Sequence, residues 1–256
     1  MIRRKGIHKL SSILLMSFML INNSEAAFCS TANMYNLDQV QQFIYEEMLN
    51  RQEHITFNYK GDKSEFINNI SERIKNAYKE DSYTERAWLN IEPKANITRS
   101  GIETDIKVVY LTSKEQEDYI NNEVDKIIQE IIKPDMTDEQ KIQAVNQYLI
   151  NRYEYDYDYI SNNPYEALMT NKTVCQGYSM TTYKILNKLN IECKIVVGSI
   201  GESSHSWNAI KLNGLWYYLD VTNNDALRYN KYFLVDSNVL VKNGYIWNNQ
   251  ESVLNN

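Results

Sequence analysis

The chain of 256 residues contains only three Cys, three His and three Pro. So little Cys excludes a disulfide-stapled miniprotein, and the shortage of Cys and His together excludes most multi-zinc modules. Three Pro leave no room for long proline-rich linkers. Basic residues are also in deficit: 27 Lys and Arg stand against 33 Asp and Glu, a net charge of −6. No basic cluster interrupts that balance. A surface of this sign lacks the Lys/Arg neutralisation on which phosphate binding depends, which argues against nucleic acid and anionic membranes as partners. Any chemistry that needs a thiol or an imidazole is confined to a handful of positions.

What is present is ordinary for a soluble globular protein, 43% hydrophobic and 23% charged. The length suits one large domain or two small ones. Near the start, Arg3, Arg4, Lys5 and Lys9 precede an uncharged apolar run from Ile13 to Ile21, and Ser24-Glu25-Ala26 follows. A basic start, a short apolar run and a small-x-small end have the layout of a secretory signal peptide, and the run is short for a permanent membrane span. The expectation is a signal peptide over 1–26, a secreted or cell-surface protein, and no stable membrane insertion once that segment is removed. Its removal takes away four basic residues and one acidic residue, so the remainder is more acidic still.

Two regions follow. Over 27–112, Val40, Phe43, Ile44 and Met48 recur at helical spacing, Ile55–Tyr59 alternates as a strand, and Phe66, Ile67, Ile70, Ile74 and Ala77 form a second helical stripe. Ala87–Ile91 and Ile106–Leu111 read as strands with an irregular polar stretch between them. This is a small α+β subdomain with no visible chemistry. The region 113–256 opens with two helices whose starts fit the capping box, Ser113 with Gln116 and Thr137 with Gln140. Pro134 ends the first, since its ring cannot continue the backbone ladder. Thr173–Asn190 then reads as a helix, Ile191–Ser199 as a strand, Gly201–Ser204 as a turn, Ser206–Leu212 as a second strand and Leu215–Val221 as its return. Between the last two, Asn213-Gly214 is the strongest short hairpin signal, because both positions tolerate the positive φ of a type I′ turn.

That turn sets the register. A two-residue loop pairs Leu212 with Leu215, which carries Trp207 opposite Asp220 and His205 opposite Thr222. His205, Trp207, Asp220 and Thr222 then share one face. His205 and Asp220 become diagonal neighbours about 7–8 Å apart at the backbone, within reach of each other's side chains. A three-residue loop would place them on opposite faces. Cys175 lies in the first turn of the Thr173–Asn190 helix, where the dipole and the unpaired amides favour a thiolate. The amide of Cys175 itself points toward a developing oxyanion. A nucleophile, a base and an orienting carboxylate thus occur in the order Cys, His, Asp. His54 precedes a strand, has no Cys beside it and reads as structural.

Three blocks carry a resemblance. Thr173-Val174-Cys175-Gln176-Gly177-Tyr178, His205-Ser206-Trp207-Asn208 and the stretch Gly214–Thr222, with Tyr232-Phe233-Leu234 after it, resemble the ordered motifs of the bacterial transglutaminase-like superfamily. The likeness covers roughly residues 137–237. It implies an α+β, papain-related fold in which a helix carrying Cys packs on an antiparallel sheet, over a domain 113–256 preceded by the subdomain 27–112. It implies Cys175 as nucleophile, His205 as general base and acid, and Asp220 as the residue that fixes the imidazole. Tyr155 is the positional match for an upstream oxyanion side chain, with Tyr153 as rival. Gln176, Trp207 and Asn208 are candidates for the substrate cleft. Asn223 departs from the pattern, standing where the family has Trp. The chemistry implied is attack on an amide of a protein or cell-wall peptide to give a Cys thioester, with no metal and no cofactor. Water as acceptor makes a peptidase or amidase, and an amine makes a transglutaminase. A catalytically silent binding or scaffolding module at the cell surface is the alternative reading. Three Cys in an exported protein leave one unpaired, and a disulfide between Cys29 and Cys193 would leave Cys175 free.

Overall fold

The computed structural model describes residues 17–18 and 32–248, so Cys29 and nearly all of the expected signal peptide lie outside the described residues. The chain divides into two units, one of Met1–Glu80 with Trp88–Tyr110, the other of Asp81–Ala87 with Leu111–Asn256. Among the described residues no helix is long and apolar enough to cross a membrane.

The first unit contains β1 (Ser17–Phe18), β2 (Asn33–Met34), α1 (Leu37–Leu49), β3 (His54–Tyr59), α2 (Lys63–Tyr78), β4 (Trp88–Thr98) and β5 (Gly101–Tyr110). Its sheet runs in the order β1-β4-β5-β3-β2. Val40, Ile44 and Met48 of α1 and Phe66, Ile70 and Ile74 of α2 share a core with Ile55, Phe57 and Ile106 of the sheet, as the two helical stripes foretell. The polar stretch between the two expected strands is not irregular. It completes a long β4–β5 hairpin in which Ile91, Pro93 and Ala95 on one strand are buried at period two. Ile102, Thr104, Ile106 and Val108 do the same on the other. Pro and Thr at buried positions hid the alternation, because they break a purely apolar pattern. His54 pairs with Asp105, Nδ1 to Oδ1 at 3.0 Å, on this sheet.

The second unit follows the order α3 (Lys114–Ile131), α4 (Asp138–Arg152), β6 (Glu154–Tyr155), α5 (Pro164–Thr170), β7 (Lys172–Thr173), α6 (Cys175–Lys188), β8 (Cys193–Ile200), β9 (Ser203–Leu212), β10 (Leu215–Leu219), α7 (Val221–Leu227), α8 (Ser237–Lys242) and β11 (Tyr245–Trp247). Both expected capping boxes form, at Ser113/Gln116 and Thr137/Gln140. Four strands make an antiparallel sheet in the order β10-β9-β8-β11. Alternation along β9 separates two cores. Ile210 joins Tyr178, Ile185 and Leu186 of α6 on one face, while Trp207 and Ala209 join Val196, Tyr218, Leu240 and Tyr245 on the other. The architecture is α+β, with the helix that begins at Cys175 laid on the antiparallel sheet.

Asn213 and Gly214 take φ of +53° and +82°, and Leu212 pairs with Leu215 as the turn requires. The ladder closes at Leu219 opposite Asn208. The expected strand Leu215–Val221 is therefore two residues too long, and Thr222 lies in α7 rather than on the strand. The cause is local. Asp220 is the N-cap of α7, its carboxylate accepting the Asn223 amide at 3.0 Å, and a good cap competes with continued pairing.

Candidate active site

Cys175 is the first residue of α6, and its N-cap, Val174, offers no side-chain acceptor to the first amides of the helix. Those amides keep their partial positive charge for an anion at the helix start. The approach to Cys175 is tied down from upstream. Asp156 gathers the amides of Asp158, Ile160 and Ser161 at 3.1, 2.8 and 2.8 Å. Those hydrogen bonds, that of Ser161 first, hold its carboxyl below the usual range. The Ser161 carbonyl in turn accepts from the Val174 amide at 3.0 Å and from Thr173 Oγ1 at 3.1 Å. The short parallel pair β6–β7 sets Tyr155 beside Thr173.

Gly177 makes this close approach feasible, since a Cβ there would sit 1.8 Å from Thr173 Oγ1. Gly177→Ala is expected to lower stability by about 1–3 kcal/mol, the usual cost of overpacking, and to slow alkylation of Cys175. Thermal unfolding and thiol labelling check both, and a Thr173→Ala change in the same chain should recover part of each loss.

His205 on β9 turns Nε2 to Asp220 Oδ2 at 2.7 Å, with both side chains largely buried. That leaves Nδ1 as the ring nitrogen available to the thiol. Burial pushes the His205 pKa down, but the charge of Asp220, its hydrogen bond and the interaction with Cys175 outweigh this and push it up to about 10. Burial likewise raises the Cys175 thiol, and the hydrogen bond and charge of His205, with hydrogen bonds from the Ser206 side chain and backbone, carry it below its ordinary value. Asp220 is held below the usual carboxylate range in spite of burial, by the charge and hydrogen bond of His205 and by hydrogen bonds from Tyr245 and the Asn223 amide. The shifts of all three groups thus favour the charged arrangement, a thiolate beside an imidazolium that is held by a carboxylate.

The remaining expected residues separate. Trp207 is buried and stacks on His205, ring centroids 5.8 Å apart and 22° from parallel, so it backs the imidazole. Gln176 is half-buried beside Cys175. Asn208 is not in a cleft. Being one residue from Trp207 on a strand, it faces the opposite side, where Nδ2 donates to the Ser179 carbonyl at 3.0 Å and pins α6 to the sheet. Tyr155 is half-buried, and its hydroxyl pKa is raised by burial and then by the charge of Cys175. Tyr153 instead packs in the core with its hydroxyl 3.4 Å from Thr181. Tyr157 and Tyr159 set their rings 5.1 and 6.4 Å from that of Tyr155 and are 78% and 55% exposed, an aromatic edge beside it. Cys193 is a free thiol, buried in the core where burial raises its pKa, and the expected partner Cys29 lies outside the described residues.

Sequence reasoning missed Ser206, Asn223 and Tyr245. Asn223 had a signal, the cap spacing from Asp220. Ser206 sits in the block that carries His205 but was given no role there, and Tyr245 had no signal, because only the folded sheet brings it to the site. A neutral alkylating agent such as iodoacetamide should react with Cys175 far faster than with Cys193 at pH 6–7, a window about 1.5–2.5 units below an ordinary thiol pKa. Labelling of the native protein followed by peptide mass analysis checks this.

A family model described as the transglutaminase-like superfamily matches residues 125–221. The Kyphoscoliosis peptidase of Homo sapiens is 26% identical over 117 residues, which cover 39% of this chain and 18% of that protein. The Kyphoscoliosis peptidase of Mus musculus is 22% identical over 121 residues, covering 40% of this chain and 18% of that protein. The match thus takes in under a fifth of the length of either curated relative. A solved structure described as a TGase aligns with a TM-score of 0.38 and 15% identity, over 75% of this chain and 58% of that one. The matched segment 125–221 takes in Cys175, His205 and Asp220, so the likeness to the transglutaminase-like superfamily lies in the stretch that carries the site.

Proposed function

We propose that the protein is an exported cysteine peptidase or amidase that cleaves amide bonds of a protein or cell-wall peptide through a thioester on Cys175, with residues 1–26 directing export. The observation that carries this reading is the Nε2–Oδ2 contact of 2.7 Å between His205 and Asp220, with the Cys175 thiol coupled to the same imidazole. Cys175 Sγ attacks the amide carbonyl, and the carbonyl oxygen takes the charge. The Cys175 amide at the start of α6 and the Tyr155 hydroxyl, kept protonated by its raised pKa, donate to that oxygen. His205 gives its Nδ1 proton to the leaving amine, and the C–N bond breaks to leave a thioester. His205 then takes a proton from water, which attacks the thioester carbonyl and frees the acid and the thiolate. Asp220 keeps the imidazole in the orientation that both steps require. Water as acceptor is favoured by the likeness to the human and mouse relatives, both named as peptidases. The test is mass analysis of protein and cell-wall peptides incubated with the wild type and with Cys175→Ala. New termini made only by the wild type support hydrolysis. Crosslinks to an added amine without cleavage would instead assign a transferase, and neither product would sink the enzyme reading.

A further inference from the structure

Asp220 has more partners than a base-orienting carboxylate needs. Its Oδ2 accepts from His205 Nε2 at 2.7 Å, from Asn223 Nδ2 at 2.8 Å and from the Tyr245 hydroxyl at 2.6 Å. Asn223 Nδ2 also donates to Tyr245 Oη at 2.7 Å, closing a triangle over that oxygen. Oδ1 is engaged separately as the cap of α7. The Tyr245 ring is held from several sides. It meets Trp207 edge-on at 5.1 Å and 88°, lies 6.0 Å from the His205 ring and 5.3 Å from that of Tyr232, and is 2% exposed. Its strand, β11, reaches the site by pairing with β8, Tyr245 opposite Ile200. A ring so held keeps its hydroxyl oxygen beside the carboxylate.

We propose that Asn223 and Tyr245 are positioning residues that fix the ionised Asp220 carboxylate against His205, and so set how far up in pH the imidazolium partner of Cys175 survives. The inference rests on the acyl-transfer reading of the site. The titratable groups facing His205 are Asp220 at the β10–α7 junction, Cys175 from α6 and Tyr245 from β11, with Tyr232 behind Tyr245. Neither Asn223 nor Tyr245 exchanges a proton in the reaction. A fully buried carboxylate that loses donors is driven by desolvation toward its neutral form, and its freed oxygen can swing from Nε2. Either change deprives the imidazolium of its counter-charge, so it releases its proton at lower pH.

The test uses the rate of Cys175 alkylation by iodoacetamide as a function of pH, which needs no substrate. In the wild type two inflections are expected. The lower marks formation of the thiolate–imidazolium pair, and the upper marks loss of the imidazolium proton. Tyr245→Phe keeps the ring packing and removes only the hydroxyl. Asn223→Ala keeps the backbone amide that caps α7 and removes only the side chain. Each should move the upper inflection down by about one pH unit, the order expected for a lost hydrogen bond to a buried charge, and the double variant should move it further. Thermal unfolding confirms that each variant is folded, and Asn223→Ala carries the test alone if Tyr245→Phe is not. An upper inflection that stays in place or rises in a folded variant overturns the inference, because the donors would then only satisfy the carboxylate. A single wild-type inflection near the ordinary thiol pKa overturns the acyl-transfer reading instead.

Discussion

Cys175→Ala is expected to leave a folded protein whose activity is lower by roughly 10⁴-fold or more, the scale seen when a triad nucleophile is removed. The side chain is half-buried at the first position of α6, so its loss opens little cavity, and Ala is favourable in a helix. Unfolding free energy should change by no more than about 1 kcal/mol. The contrast is Cys193→Ala. Cys193 is 3% exposed within the core, and Asn208 Nδ2 lies 3.4 Å from its sulfur. Its truncation should cost about 1–2 kcal/mol by cavity formation while the chemistry survives. Peptide cleavage and thermal unfolding, measured on both variants, separate a catalytic thiol from a packing one. Activity retained without Cys175 would remove the thioester from the mechanism.

Asn213-Gly214 explains why the heart of this site was legible in one dimension. A single dipeptide dictates a turn type, the turn dictates register, and period-two alternation carries that register seven residues back to His205 on the face of Asp220. The same holds for Cys175, whose place at a helix start followed from the apolar stripe behind it. What escaped was set by competition or by distance. At Asp220 the chain chooses between another strand pair and a helix cap, and periodicity contains nothing about which is stronger. Asn208 was misplaced for a related reason, since a motif names neighbours in sequence while a strand sends them to opposite faces. Tyr245 comes from 25 residues beyond Asp220 on a three-residue strand, too short to have a pattern. In the first unit the β4–β5 hairpin was cut short because Pro93 and Thr104 occupy buried positions where an apolar residue is the usual cue.

Asp220→Asn is expected to lower activity by roughly 10²–10⁴-fold with the fold retained, and the reason lies in what each oxygen does. Asn caps helices about as well as Asp, so its carbonyl oxygen can take over from Oδ1 and accept the Asn223 amide. Its NH₂ then occupies the position of Oδ2, and its two N–H groups point at His205 and Tyr245, while Asn223 Nδ2 keeps only Tyr245 Oη as acceptor. Tyr245 can reverse its hydroxyl and accept. His205 can meet an N–H only by presenting an unprotonated Nε2, which moves its single proton to Nδ1 and leaves the ring neutral. A neutral imidazole with Nδ1–H facing sulfur cannot take the thiol proton, so Cys175 stays protonated up to its ordinary range near pH 8.5. The lower inflection in alkylation should accordingly disappear, leaving one step at that value, while Cys175 remains accessible and labels fully at high pH. Asp220→Ala behaves differently. It removes the cap and leaves His205, Asn223 and Tyr245 facing a void, and breaking a buried charged pair costs about 3–5 kcal/mol. Loss of the low-pH reactivity in Asp220→Asn without loss of fold, set beside unfolding in Asp220→Ala, would separate the electrostatic duty of Oδ2 from the structural duty of Oδ1. Wild-type alkylation kinetics in Asp220→Asn would mean that the carboxylate holds the α7 start alone and that the thiolate is sustained by the helix terminus and Ser206.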